Sequence, residues 1–245
     1  MLARLLSILL ALAAPLLGAA EPAVLINVDD GNPPFMYAVN VQARGIYPAL
    51  IRAAFQLMGT PVGVEAKPWK RALEEIDMGQ AGVGGIYKTA ERLQKYDYSD
   101  PIYVENLLVY FNVANPLNYS QIQDLTGKRI GVLRGWSYGD AFDQARRQGL
   151  FQVEEVGTDD QNFRKLEAQR IDTVIAIQES GTTLVKNYRT ISFSLVPLSQ
   201  NPTFLAFSKS AHRTDLLKRF DQAIRDLRRT GAYKTLISAE LTASP

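Results

Sequence analysis

Cysteine is absent from the 245 residues and histidine occurs once. Without cysteine there is no disulfide framework, no thiolate nucleophile and no lipid-accepting residue of the bacterial lipoprotein kind. The single histidine, His212, cannot supply a multi-histidine metal site, and it stands far in sequence from Ser99 and Ser137, so neither serine has a triad partner. A phosphate loop is missing too, because Gly82-Val83-Gly84-Gly85 is not followed by Gly-Lys-Ser/Thr. The net charge is only +2. Arg225, Arg228 and Arg229 are interleaved with Asp215, Asp221 and Asp226, which is the pattern of a solvated helix face and not of a nucleic-acid surface. Past residue 20 no apolar run reaches the roughly 20 residues that span a bilayer. These absences point to a protein that is not an enzyme and carries neither metal nor cofactor.

What is present begins with residues 1–20. Arg4 precedes an apolar run over residues 5–17, and Gly18-Ala19-Ala20 places small residues ahead of Glu21. This is the pattern of a cleaved export signal, and it predicts a soluble mature protein in the periplasm.

The mature chain reads as two α/β blocks. Residues 23–28 form a strand, and Asp29-Asp30-Gly31-Asn32-Pro33-Pro34 ends it in a loop. Apolar residues at helical spacing predict a helix over residues 45–58, stopped by Gly59 and Pro61. A strand over 62–66, a helix opened by Pro68-Trp69 and running to Met78, and a strand over 81–86 complete the first block. Residues 103–113 are a long β-rich run with no helix after it, read as a strand that crosses to a second block. That block holds strands over 128–133, 151–156, 171–177 and 191–196, with helices over 137–147, 158–168 and 179–187. Two helix starts carry capping signatures, Ser137-x-x-Asp140 and Thr158-x-x-Gln161. Residues 201–208 read as the return crossing. A charged amphipathic helix over 214–230, stopped by Gly231, and a short helix over 233–241 close the chain. Strands alternating with helices predict parallel sheet covered by helices. Two crossings are the requirement for a hinged pair of lobes.

In this order the motifs resemble the bacterial family 3 extracellular solute-binding proteins, the periplasmic receptors of polar amino-acid ABC transporters. Asn32-Pro33-Pro34-Phe35 follows the first strand, and a Gly-led helix starts at Gly45. Trp69 opens the second helix. Thr89-Ala90-Glu91-Arg92 leads to Tyr98-Ser99-Asp100-Pro101. Gly131-Val132-Leu133-Arg134-Gly135 precedes a helix, and Arg170-Ile171-Asp172 precedes an apolar strand. The resemblance implies a two-lobed type II periplasmic binding fold, with residues 21–110 and 205–245 as lobe 1, residues 111–204 as lobe 2 and the two crossover strands as hinge. It implies that Arg92 holds a ligand carboxylate, for which a guanidinium presents a matching fork of donors. From the residues alone, Arg92 reads first as a surface partner of Glu91 or Asp97.

The opposing wall is expected at Gly135, Trp136, Ser137 and Tyr138, at a helix N-terminus where free N–H groups favour an anion; Ser137 reads also as a plain N-cap. Phe35, Tyr47, Trp69, Tyr87, Trp136 and Tyr138 are candidate cleft aromatics, and each also fits a core position. The chain departs from the pattern at several points. Gly84, Gly85 and Tyr87 stand where the family has small hydroxyl residues, Tyr47 replaces an acid of the first helix, and Asn32 replaces a loop aromatic. The aspartate that pairs with a ligand ammonium is missing beside Ile177, leaving Glu179 as candidate or as a first-turn helix residue. The expected ligand is therefore a small polar, carboxylated solute, an amino acid or similar. The expected partner is an ABC permease in the inner membrane, with a monomer as the expected state. Two alternatives stand beside this reading: a soluble sensory protein for a membrane receptor kinase, and a dehydratase-like enzyme on the same fold.

Overall fold

Four consecutive buried side chains, Ile26, Asn27, Val28 and Asp29, end the first strand, Val24–Asp29 (β1). Burial on both faces is the mark of an interior strand of a parallel sheet. The structure, a computed structural model that describes residues 23–243, places β1 in that position. The expected export signal lies outside the described residues. After β1 come Gly31–Asn32 (β2), Met36–Val39 (β3) and Gln42–Arg44 (β4), a small antiparallel sheet that includes part of the expected loop. Helix Ile46–Leu57 (α1), strand Val62–Lys67 (β5), helix Trp69–Asp77 (α2) and strand Gly82–Tyr87 (β6) follow. Strands β5 and β6 flank β1, both parallel to it.

A short turn of helix, Arg92–Lys95 (α3), and Tyr96–Tyr98 (β7) lead into the ten-residue strand Tyr103–Asn112 (β8). The next block runs Arg129–Leu133 (β9), Asp140–Arg147 (α4), Gln152–Val156 (β10), Asp159–Glu167 (α5), Thr173–Ile177 (β11), Gln178–Val185 (α6) and Ile191–Phe193 (β12). The long strand Ser199–Ser208 (β13) returns, and Thr214–Thr230 (α7) and Ala232–Ala243 (α8) finish the chain.

One sheet of order β10-β9-β11-β8-β13-β6-β1-β5 joins the two blocks, with β12 also on β8 and β7 also on β13. The junction is the antiparallel pair β8–β13, in register from Leu107↔Ser199 to Tyr103↔Thr203. Beyond that pair β8 continues against β11, and β13 continues against β6. Both crossings of the chain thus run side by side, which gives the molecule two lobes.

The tail helix α7 docks on the first lobe by burying Leu217, Phe220, Ala223, Ile224 and Leu227. Burial of each leucine, isoleucine or phenylalanine side chain among them is worth about 1.5–3 kcal/mol. Its charges lock to the Tyr98-Ser99-Asp100-Pro101 turn: Arg225 pairs with Asp100 at 2.7 Å, Asp221 accepts the Asp100 amide at 2.7 Å, and Arg228 donates to the Pro101 carbonyl at 2.7 Å. An exposed ion pair contributes only about 0–1 kcal/mol, so the apolar stripe holds the helix and the charges set its register.

Candidate functional site

The turn after β6 is built by Thr89, whose hydroxyl accepts the Arg92 amide at 3.2 Å and whose carbonyl accepts the Leu93 amide at 3.0 Å. This starts α3 at Arg92 and turns its side chain back toward β6. The guanidinium donates to the Tyr87 carbonyl at 3.3 Å. It has no carboxylate partner within ion-pair distance among the described residues: Glu91 pairs with Lys95 and Asp97 with Lys209. Burial lowers its pKa from the ordinary value, with Tyr98, Tyr96, Asp143 and Glu91 opposing the shift. A guanidinium stays charged under such a shift. Arg92 is therefore a half-buried cation without an anionic partner among the described residues.

Across from it lie Gly135, Trp136 and Ser137 of the second lobe, and the two walls bound a cavity of about 560 Å³. Deeper in, Trp69, Gly85, Tyr87, Arg92, Trp136 and Ser137 close to a gap of only about 10 Å³. Trp136 fills that depth. Its ring lies 6.0 Å from that of Trp69, and its indole N–H reaches Asp29 of the other lobe at 2.6 Å. The Trp69 indole N–H is buried with no partner among the described residues. Gly85 has φ 77°, and a Cβ there would stand 2.6 Å from the Tyr47 ring, so a side chain at this position is both strained and obstructed.

Behind this wall Glu105 of β8 is 1% exposed and accepts hydrogen bonds from the Tyr47 and Tyr87 hydroxyls. Burial pushes its carboxyl up to about 8, and the two hydroxyls hold it from rising further. Tyr103 donates to Glu179 at 2.9 Å across the lobes, while the second Glu179 oxygen is buried and unpartnered. Ser180 donates to the Pro33 carbonyl at 2.8 Å, a further contact between lobes. Asp29, held by Trp136 and by the Gly31 amide at 3.0 Å, is still pushed up to about 6 by burial. Among the described residues no group of three or more His, Cys, Asp or Glu side chains is placed to hold a metal ion.

The family model for bacterial extracellular solute-binding proteins, family 3, matches residues 24–239. The chain belongs to that family. Its curated relatives include the L-cystine-binding protein TcyJ of Escherichia coli, 23% identical over 217 residues, which make up 87% of this chain and 80% of TcyJ. A putative sensor protein of Shewanella frigidimarina is 23% identical over 96% of this chain, which spans 35% of that protein. Among solved structures, a histidine kinase sensor domain with similarity to periplasmic binding proteins superposes with a TM-score of 0.78 at 19% identity, covering 91% of this chain and 97% of that one. A mutant of ArgBP from T. maritima gives 0.77 at 19% identity, over 90% and 95%. The type II periplasmic binding fold is thereby shown.

In this family 3 protein, Arg92, Gly85, Tyr87, Trp69, Trp136 and Ser137 of the expected site meet around the narrow gap. Phe35 and Tyr138 lie elsewhere. The Phe35 ring is fully buried between Tyr47 and Tyr103, with centroids 5.5 and 5.4 Å away. Tyr138 turns into the second lobe, accepts the Leu133 amide at 2.7 Å and packs on Phe142. Glu179 sits in the first turn of α6 and also bonds Tyr103.

Ser137 is not a helix cap. The N-cap of α4 is Gly139, with φ 98°, and the Ser137 hydroxyl instead donates to Asp143 at 2.5 Å. Asp140 accepts the Ala90 amide of the other lobe at 3.4 Å. The second signature holds, since Thr158 caps α5 by accepting the Gln161 amide at 3.4 Å. Arg170-Ile171-Asp172 proves to be a strand lock, because Asp172 accepts the Arg129 amide at 2.7 Å. Glu105, Asp159 and Ser180 were not among the sequence candidates. Glu105 left a signal, an acid inside an otherwise apolar run; Asp159 left none beyond an acidic first turn.

Proposed function

We propose that the protein captures a small, polar, carboxylated solute between its lobes in the periplasm and presents it, as a monomer, to an ABC permease of the inner membrane. The observation that supports this most is Arg92: a half-buried guanidinium bonded, among the described residues, only to the Tyr87 carbonyl, facing Gly135–Ser137 of the other lobe. Residues 21–110 with 205–245 and residues 111–204 act as the two lobes, turning about β8 and β13. Ligand access requires them to part, which breaks the Trp136–Asp29 and Ser180–Pro33 contacts. A solute that favours the united lobes over the parted ones then shifts the population. Binding is the whole of the activity in this reading, with no chemical turnover.

A calorimetric screen of amino acids and organic acids is expected to yield a ligand. Arg92→Ala is expected to weaken it by at least about 30-fold, the equivalent of roughly 2 kcal/mol for the loss of one partner of a charge-assisted pair. Equal affinity in the variant would end the assignment of Arg92. Conversion of the ligand on incubation with purified protein would end the non-catalytic reading.

The resemblance to a histidine kinase sensor domain and to a putative sensor protein favours a second reading, in which the ligand-bound form docks on a membrane receptor kinase. Genes for a permease and ATPase beside this one support transport; a receptor kinase gene supports sensing.

A further inference from the structure

A second cavity, of about 400 Å³, shares no lining residue with the one beside Arg92. Pro33, Pro34 and Tyr37 of the first lobe form one side of it, and the start of α5 and Ser180, Thr183 and Leu184 of the second lobe form the other. Every charged side chain on its wall is acidic: Asp30, Asp159 and Asp160. Asp160 is already engaged by Arg164 and by the Tyr188 hydroxyl, each at 2.8 Å. Asp159 is not. It is 6% exposed, and its Oδ1 is buried without a hydrogen-bond partner among the described residues.

A carboxylate buried in this way lacks several kcal/mol of hydration. The N-terminus of α5 returns only about 0.3–1 kcal/mol. A cation from outside the chain would supply the counterpart that a proton otherwise provides. Two features decide its kind. The rest of the wall sets prolines, a tyrosine ring and a leucine beside the hydroxyl residues Thr158, Ser180 and Thr183, which suits a short organic stem with a polar head. No third acid of uncommitted charge converges on Asp159, so an inorganic divalent ion would find too few ligands.

We propose that this cavity is a binding subsite for a compact organic cation, an ammonium or guanidinium on a short aliphatic or aromatic stem, with the charge on Asp159 and the stem against Pro33, Pro34 and Tyr37. Burial, with Asp29 nearby, pushes the Asp159 carboxyl up to about 7, which accords with a group that awaits a cation. The subsite is independent of the Arg92 reading, because its probes carry no carboxylate.

The test is calorimetry at a mildly alkaline pH with putrescine, agmatine and benzylamine, and with calcium chloride and propionate as controls. At least one amine is expected to bind in the millimolar range or tighter. Asp159→Asn is expected to weaken it at least tenfold, and Arg92→Ala less than twofold. Ala38→Trp, which fills the cavity from exposed β3 without touching the carboxylate, is expected to abolish amine binding and leaves a readout if Asp159→Asn does not fold. Absence of binding by all three amines, equal binding by Asp159→Asn or by Ala38→Trp, or calcium binding in their place would overturn the proposal.

Discussion

The Trp136 indole N–H lies 2.6 Å from Asp29 Oδ2, one of several hydrogen bonds that join the two lobes beside the paired strands. It gives one buried acid a donor and wedges one aromatic into the narrowest part of the cleft. Trp136→Phe keeps a ring beside Trp69 and removes the donor. Leaving a buried acceptor short of a partner costs about 1–3 kcal/mol. The urea midpoint of the variant is expected to fall accordingly, and small-angle scattering is expected to show a wider molecule. An unchanged midpoint with an unchanged profile would remove this contact from the account of how the lobes stay together.

Glu105 makes stability depend on pH in a definite direction. Its carboxyl is at about 8 in the folded protein against an ordinary 4.5, so between those values the folded state holds a proton that the unfolded chain has released. Stability is therefore highest below the ordinary value and falls as pH rises through the folded one. Asp29 and Asp159, at about 6 and about 7, act in the same direction but finish earlier. The thermal midpoint is expected to drop from acid to alkaline pH, and above about pH 7 Glu105 is expected to be the main carboxyl contributor. Glu105→Gln, which can still meet both tyrosines, should flatten that upper part of the curve. A slope there equal to that of the parent protein would exclude Glu105 as its source.

Gly85 predicts a stability effect without loss of any contact. At φ 77°, with the Tyr47 ring in the path of a Cβ, Gly85→Ala combines left-handed strain with overpacking, together about 2–4 kcal/mol. Chemical denaturation measures this directly, and a variant as stable as the parent would mean that the Tyr47–Glu105 cluster yields easily.

On α7 the apolar stripe and the ion pairs are separable. Phe220→Ala, which removes a fully buried ring against Phe55, is expected to cost about 3–5 kcal/mol, and Asp100→Asn less than about 1 kcal/mol. The reverse order would show that the charged turn, and not the stripe, holds the helix.

Much of this was written in the chain. The stripe of α7 and the length of β8 are visible as periodicity and as an apolar run, so the helix limits 214–230 and the crossing both follow from residue spacing. The β3–β4 hairpin was invisible for a physical reason. Its two-residue turn is Asn40-Val41, with φ 47° and 62°, and a valine at a left-handed position hides the Asn-Gly signal by which such turns are recognised. The start of α4 was misread because Ser137 and Gly139 are both acceptable caps, and tertiary contact with Asp143 decided between them. Asp159 was overlooked because it opens a helix, a place where an acid needs no further explanation. Its meaning lies in burial, and burial arises from elements distant in sequence.

The pairing of β8 with β13 has a consequence for how the molecule can be rebuilt. Leu107 and Ser199 face each other across that pair, so the chain leaves the first lobe and comes back to it at neighbouring points. The segment between them enters and leaves the host through two adjacent strands, and meets it elsewhere at Trp136, Glu179 and Ser180. A relative's equivalent segment, spliced at those two residues, would graft a new wall opposite Arg92 while the host kept its own core, its tail helix and its guanidinium.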